Sequence, residues 1–289
     1  MTYWLLTTEY PPQSGGGIGT YCYHTAQMLS QKGHQVTVFV PEYSSESLFF
    51  ENSRAGLRIV HCPVQSVKGL GDEAALSWCF SNHVSNVASQ EGQPDFIEFQ
   101  EYNGIGYFIL QKKLLLQDYL NNTRFVVTAH APGFLYLDYN QAPLFKLPQY
   151  WTGEMEKSVL VSADKLISPS QYLLDTLNTY VDLKKQDSRV IPNPYQSPDQ
   201  PCFDYEYGDF VFFGKLTPQK GAIEMLHYFS KLWDEGFEYT LSIVGGGDHF
   251  FYPLMSDLGT HLQRKYLKYV KKKLLFFEGH INPSNLFTR

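Results

Sequence analysis

The chain has 289 residues, of which 43% are hydrophobic and 18% charged, with a formal net charge of −6. That length suits two domains of ordinary size, and the composition excludes disordered, collagen-like and coiled-coil classes. A net negative chain has no bulk electrostatic attraction to nucleic acid. Short apolar runs then alternate with longer amphipathic stretches, the pattern of strand-helix units on a parallel sheet. A first strand is expected over 4–8, then a helix over 20–32 closed by Gly33. Strands follow over 35–40, ended by Pro41, and over 57–62, 95–99 and 124–128, with helices over 73–90 and 106–120 between the later ones. A helix over 154–163, a strand over 165–167, a helix over 172–180 and a strand over 189–191 complete this half.

Pro192-Asn193-Pro194-Tyr195-Gln196-Ser197-Pro198-Asp199-Gln200-Pro201 carries four prolines in ten positions and continues neither a helix nor a central strand. It reads as a hinge. The pattern then restarts with strands over 209–213, 239–244 and 274–277, helices over 221–233 and 258–271, and the opening of one more helix over 285–289. The expected architecture is α/β, with two Rossmann-like doubly wound domains: 1–191, a linker over 192–208, and a partial second domain over 209–289. Its three strands are about half of the usual six for such a sheet. The run from Arg264 to Lys273 is basic. At helical spacing Leu267 and Val270 share one face, and the lysines form either a solvated face or a contact with a membrane or an anionic partner.

Cys22, Cys62, Cys79 and Cys202 form no C-x-x-C pair, which disfavours a zinc site or a disulfide framework and fits a reducing compartment. The first nine residues lack a basic region and reach Glu9 too early for a signal peptide, and no apolar run is long enough to span a bilayer. A cytoplasmic location is the expectation, in which the sequon Asn121-Asn122-Thr123 carries no meaning. Tyr and Phe number 21 each; such rings fill cores, and they also stack on sugars and bases.

Two loops carry chemistry. Ser14-Gly15-Gly16-Gly17-Ile18-Gly19-Thr20 lies between the first strand and the first helix, where glycine lets backbone amides approach a phosphate at the positive helix end. It is equally a flexible connection. Its spacing is not G-x-G-x-x-G, Tyr10-Pro11-Pro12-Gln13 delays the turn, and a Walker ending is missing. Gly214-Lys215-Leu216-Thr217-Pro218-Gln219-Lys220-Gly221 follows the first strand of the second half. Its two lysines, five positions apart, can meet one dianion with a helix dipole behind them, or lie as ordinary surface cations.

The ordered series of such pieces resembles the retaining glycosyltransferases of family 4, which have the GT-B fold. Gly15-Gly16-Gly17-Ile18-Gly19-Thr20-Tyr21, Thr128-Ala129-His130-Ala131-Pro132 and Ala163-Asp164-Lys165-Leu166-Ile167-Ser168-Pro169-Ser170 come first. Ile191-Pro192-Asn193, Phe212-Phe213-Gly214-Lys215 with Lys220-Gly221, Ile243-Val244-Gly245-Gly246-Gly247 and Phe276-Phe277-Glu278-Gly279-His280 follow. The resemblance implies that Gly16 and Gly17 bring amides to the donor diphosphate and that Lys215 and Lys220 clamp it. The family usually has arginine at the position of Lys215, and lysine lacks the bidentate fork. His130 would stand beside the transferred sugar, though a histidine after a strand is also a common structural residue. Gly245, Gly247, Gly279, His280 and Ile281 would shape the nucleobase slot.

The family's pair of glutamates eight positions apart has no counterpart here. Its place lies beyond Arg289, so the reading expects roughly 80–120 residues to be missing and the fragment to be inactive. No D-x-D occurs, which disfavours a metal-bridged diphosphate and leaves charge neutralisation to the two lysines. Glu98 and Glu101 are candidates to touch an acceptor hydroxyl, or are ordinary solvated carboxylates. The donor is expected to be a UDP-sugar, with GDP or ADP as alternatives; the acceptor is a sugar, a glycolipid or another hydroxyl compound. Two other readings stay open: a dinucleotide-dependent Rossmann enzyme, and a non-catalytic nucleotide- or sugar-binding module.

Overall fold

The computed structural model of the chain describes residues 1–12, 16–115, 120–194 and 210–281. Two compact units result: Met1–Phe134 with Phe145–Ser197, and Leu135–Leu144 with Pro198–Arg289. Most of the proline-rich stretch, Cys202 and the helix expected over 285–289 lie outside the described residues.

The first unit contains strands β1 (Thr2–Leu6), β2 (Gln35–Glu42), β3 (Phe49–Arg54), β4 (Leu57–Pro63), β5 (Phe96–Gln100), β6 (Arg124–Thr128), β7 (Lys165–Ser168) and β8 (Ser188–Val190). They form one sheet in the order β3-β4-β2-β1-β5-β6-β7-β8, parallel except for β3 against β4. Helices α1 (Gly17–Gln31), α2 (Asp72–Glu91), α3 (Tyr107–Leu114), α5 (Gln149–Ser162) and α6 (Gln171–Leu177) make the connections, and a short helix α4 (Gly133–Tyr139) follows β6, its residues from Leu135 onward belonging to the second unit. Leu5, Val38, Phe39, Ile97, Phe99, Phe125 and Val127 are fully buried. Unbroken apolar runs of this kind belong to central parallel strands covered on both faces. The chain steps outward from β1 to β2 on one side and crosses back to β5 on the other. That reversal is a topological switch point, where connections leave on opposite faces and open a crevice at the carboxyl ends of the strands.

The differences from the sequence expectation have physical causes. Pro41 does not end β2, since the strand runs on to Glu42 paired with β4. β3 was not expected because all six of its residues are exposed, so no apolar alternation marks it. It folds back on β4 through Gly56, whose φ of +75° suits glycine. α3 ends at Leu114, short of the expected residue 120, and α5 starts at Gln149.

In the second unit, β9 (Phe210–Phe213), β10 (Leu241–Val244) and β13 (Leu275–Gly279) form a parallel sheet in the order β13-β10-β9. β11 (Phe250–Phe251) and β12 (Ser256–Asp257) make a small antiparallel ribbon. α7 (Ala222–Asp234), α8 (Leu258–Lys265) and α9 (Leu267–Lys271) supply Leu226, Trp233, Leu262 and Tyr269 to the core around Ile243. The helix expected over 258–271 is two helices joined at Tyr266. Tyr266 and Tyr269 are buried while Leu267 is 47% exposed, so the apolar face expected at Leu267 and Val270 belongs mainly to the tyrosines. Lys268 is tied to the protein by bonds of 2.9 and 3.0 Å to Asp234. β9, paired on one side among the described residues, exposes Phe210, Val211 and Phe213.

Cys22, Cys62 and Cys79 are buried free thiols. Among the described residues, no helix is long and apolar enough to cross a membrane, and no His, Cys, Asp and Glu group is arranged to hold a metal ion.

Glycine sets the closest backbone approach in the second unit. A Cβ on Gly245, at φ +148°, would lie 2.0 Å from the Gly214 carbonyl oxygen. Gly221 also has positive φ, +71°, but open space around it. Gly221→Ala is therefore expected to lose only the left-handed backbone penalty, about 1–2 kcal/mol. Gly245→Ala adds a steric clash and should lose about 2–4 kcal/mol in all. Thermal denaturation of the two variants measures the difference.

Candidate functional site

At the switch point the chain leaves β1 through Thr7, whose hydroxyl donates to the Glu9 carbonyl at 2.8 Å and accepts from the Glu9 amide at 3.2 Å. Gln13, Ser14 and Gly15 of the glycine-rich loop lie outside the described residues. Gly16 is the extended residue before α1 and supplies no side-chain cap. Glu9 stands there instead. Its Oε2 accepts from the Gly19 amide at 3.3 Å, and a Cβ on Gly16 would lie 2.5 Å from that oxygen. The positive end of α1 thus already faces a resident carboxylate. Gly17 is exposed, with nothing within 4 Å of where its Cβ would be.

Glu98 and Glu101 are 1% and 0% exposed, so neither is a solvated carboxylate. Glu98 sits in the middle of an apolar strand and is satisfied by hydroxyls: Tyr21 donates to Oε1 at 2.8 Å, Thr128 at 2.7 Å, and Tyr3 to Oε2. Burial, and then the Glu98 charge, push both tyrosine hydroxyls well above their ordinary range.

In the second unit the carboxyl ends of three strands are drawn together by backbone bonds. Gly214 N donates to Val244 O at 2.9 Å, Gly245 N to Gly279 O at 2.8 Å, and Leu216 N to Gly246 O at 2.9 Å. Gly214, Gly245 and Gly279 all have positive φ. Gly259 N donates to Gly247 O at 2.9 Å, which packs the Gly245-Gly246-Gly247 loop on the start of α8. This edge carries the residues expected to bind the donor: Lys215 and Lys220, both exposed, with Gly245 and Gly247, and Gly279 followed by exposed His280 and half-buried Ile281. Lys220 ends the short turn Pro218–Lys220, and Gly221 then starts α7 without a side-chain cap, leaving helix-end amides open to an anion. The loop is held by Gln219 N, which donates to Asn140 Oδ1 at 3.2 Å within the same unit. His249 was not anticipated. Burial, and next the Lys215 charge, lower its pKa, and its Nε2 is buried without a hydrogen-bond partner.

The third cluster joins β5, β6 and α5 of the first unit. Glu101 Oε1 accepts from the His130 amide at 2.8 Å, while Oε2 has no partner. The His130 ring packs edge-on against Tyr21, with centroids 4.7 Å apart, and its Nε2 is also buried and unpartnered. Glu156, fully buried on α5, accepts from the amides of Asn103 at 2.9 Å, Gly133 at 2.8 Å and Phe134 at 3.0 Å. Sequence reasoning missed Glu9 and Glu156. The signal for Glu156 was available: a charge three and four positions before Val159 and Leu160, on the apolar face of an expected helix.

Burial sets the protonation of this cluster. It pushes Glu101 up to about 8, with Glu156 adding to the rise, and pushes Glu156 up to about 7. It pushes His130 down to about 4, so the imidazole is neutral at physiological pH. Above the ordinary value of 4.5, the folded state keeps a proton at Glu101 that the unfolded chain has released, so stability falls as pH rises towards about 8. Glu156 acts in the same direction up to about 7. His130 acts the other way, destabilising as pH falls from 6.5 towards about 4. Above pH 7 Glu101 is the main acid still losing its proton, so Tm is expected to fall between about pH 7 and 8 in the native chain. Glu101→Gln keeps the carbonyl acceptor for His130 and should flatten that fall. A Tm-against-pH series on both proteins measures it; equal slopes would remove the buried acid.

Comparison with known proteins comes to the same place. The family model described as Glycosyltransferase Family 4 matches residues 15–196, more than half of the chain. The sucrose-phosphate synthase of Thermosynechococcus elongatus superposes with a TM-score of 0.66 at 18% identity, over 97% of this chain and 71% of that one. The catalytic domain of starch synthase IV from Arabidopsis thaliana, bound to ADP and acarbose, gives 0.62 at 14% identity, over 98% and 74%. WaaG, a glycosyltransferase involved in lipopolysaccharide biosynthesis, gives 0.60 at 13%, over 98% and 71%. At these identities the likeness is one of fold, the GT-B arrangement of Rossmann-like units. No curated protein matches the chain in sequence. With its ordered motifs, its switch-point crevice and the family match over residues 15–196, the chain belongs to glycosyltransferase family 4.

Proposed function

We propose that the protein transfers a glycosyl group from a nucleoside-diphosphate sugar to an acceptor hydroxyl, with retention and without a metal ion. The observation that carries the reading is the carboxyl edge of the second unit. There, glycine-lined strand ends leave two exposed ammonium groups, Lys215 and Lys220, on the loop that leads into the uncapped start of α7. Cleavage of the bond between the anomeric carbon and the diphosphate puts negative charge on the leaving group, and fixed cations with oriented amides stabilise it. Lys215 and Lys220 take that role. Backbone at Gly245, Gly247 and Gly279, with His280 and Ile281, takes the base. Gly16 and Gly17 supply amides to the diphosphate against the standing charge of Glu9. Retention follows the family and no distance in the protein.

His130, neutral in this environment, exchanges hydrogen bonds with a sugar hydroxyl and supplies no charge. Glu98 and Glu101, being buried, serve the acceptor side by holding the strand ends in place. The acceptor is a sugar, a glycolipid or another hydroxyl compound, met in the cytoplasm or at a membrane surface. UDP is the first choice of nucleotide, with GDP and ADP as alternatives; ADP is the nucleotide in the starch synthase structure.

Calorimetric titration with UDP, GDP and ADP tests the reading. Lys215→Ala and Lys220→Ala should each weaken the preferred diphosphate roughly 10- to 100-fold, as expected for losing a charged hydrogen bond of about 1.5–3 kcal/mol. Both should affect the monophosphate less, and EDTA should change nothing. Binding that ignores both lysines, or that needs a divalent ion, removes the proposed clamp.

A further inference from the structure

The first unit has a cavity of about 440 Å³, inside the range of about 300–1,000 Å³ common for small-molecule sites. The starts of α2, α3 and α5 line it, through Glu73, Tyr107, Phe108, Trp151, Glu154 and Met155. α2 and α3 begin just after β4 and β5, and α5 leads into β7, so all three helix starts lie at the carboxyl end of the sheet. We propose that this cavity is a subsite for a neutral saccharide, with the Trp151 indole against one face of the sugar ring. As an acceptor subsite it rests on the transferase reading; as a saccharide site it stands alone.

Three observations support the ligand class. The first is aromatic: Trp151 is 61% exposed, a large ring left open to solvent at the cavity wall. Opposite in character is Phe108, which is fixed by edge contacts with Trp78 and Tyr107, at centroid distances of 5.2 and 5.1 Å. An open ring beside a fixed one offers flat apolar surface to the C–H face of a sugar. The second is polar: Glu73 from α2 and Glu154 from α5, with the hydroxyls of Thr152 and Ser158, also line the cavity and suit a ring edged with hydroxyl groups. Lys157 engages one oxygen of Glu154, at 2.8 Å. The third is charge. Among the described residues no Lys, Arg or His lines the cavity, and with Glu154 paired to Lys157 the Glu73 carboxylate still leaves it net negative, which disfavours a phosphorylated ligand.

The walls are preformed. A Cβ on Gly104, at φ +59°, would lie 2.6 Å from Met155 Cβ, so the turn after β5 sits directly on α5. Ser77 Oγ donates to Ile105 O at 3.0 Å and accepts from Phe108 N at 3.3 Å, joining α2 to the start of α3. Glu156, next to Met155, holds the amides of Gly133 and Phe134, so the helix that lines the cavity also anchors the chain just after His130.

The test is titration of the whole chain with methyl α- and β-glucopyranosides, methyl galactopyranosides, maltose and lactose. Ligand-observed NMR and tryptophan fluorescence read binding, with glucose 6-phosphate as the anionic counterpart. Trp4 and Trp233 are buried, so the fluorescence change reports on Trp78 and Trp151, and Trp78→Phe isolates Trp151. At least one neutral glycoside should bind with a Kd of about 1 mM, at least threefold tighter than the phosphate ester. Trp151→Ala should weaken it tenfold or more and Glu154→Gln about threefold, with unchanged Tm and unchanged UDP affinity. The proposal is overturned if no glycoside binds, or if Trp151→Ala binds as well as the native chain. It is also overturned if Trp151→Ala abolishes only attachment to phosphatidylglycerol vesicles, which would make Trp151 a membrane anchor. UDP bound without any glycoside sinks the subsite and leaves the transferase reading standing; a glycoside bound without any nucleotide does the reverse.

Discussion

One buried carboxylate holds the working edge of the first unit together. Glu156 reaches from α5 to the amides of Asn103, Gly133 and Phe134, and so binds the turn after β5 and the start of α4 to a single helix. None of those amides has a sheet partner, and an unpaired buried N–H is costly, so removing the side chain would release both loops together. Glu101 performs a smaller version of the task at the His130 amide. Burial raises the pKa of both acids, and the Glu156 charge adds to the rise at Glu101. The His130 loop is therefore set by buried acids whose function is geometric, and the imidazole is kept neutral by the same burial.

The second unit meets its constraint with glycine. Where β9, β10 and β13 end, Gly214, Gly245 and Gly279 take positive φ, Gly245 lies too close to the Gly214 carbonyl for a side chain, and the bonds between Gly214, Val244, Gly245 and Gly279 close the edge. A surface made of backbone presents amides and carbonyls at fixed positions. The flexible cations Lys215 and Lys220 are added at its rim. The first unit builds its edge from side chains buried among acids; the second builds it from main chain.

Much of this was legible in the sequence. Gly245-Gly246-Gly247 after Tyr239-Thr240-Leu241-Ser242-Ile243-Val244 announces a strand ending in a close approach, and 124–128 reads as a strand with the observed bounds. β3 was illegible because none of its residues points into a core. The break at Tyr266 was illegible because tyrosine is ambivalent, and Leu267 looked the better core residue. Glu98 and Glu101 were read as possibly solvated because a carboxylate is usually outside; the clue was Ile97 and Phe99 on either side of Glu98. The donors that make its burial tolerable, Tyr3, Tyr21 and Thr128, come from two other strands and a helix, which no local pattern reveals.

The outer strand of the second sheet has a practical consequence. β9 keeps one row of peptide groups unpaired among the described residues, beside exposed Val211 and Phe213, while Phe210 packs against Phe229 and Phe237. A ribbon of that kind is a template for strand addition by another polypeptide. A strand laid along that row would complete its main-chain bonds and cover Val211 and Phe213.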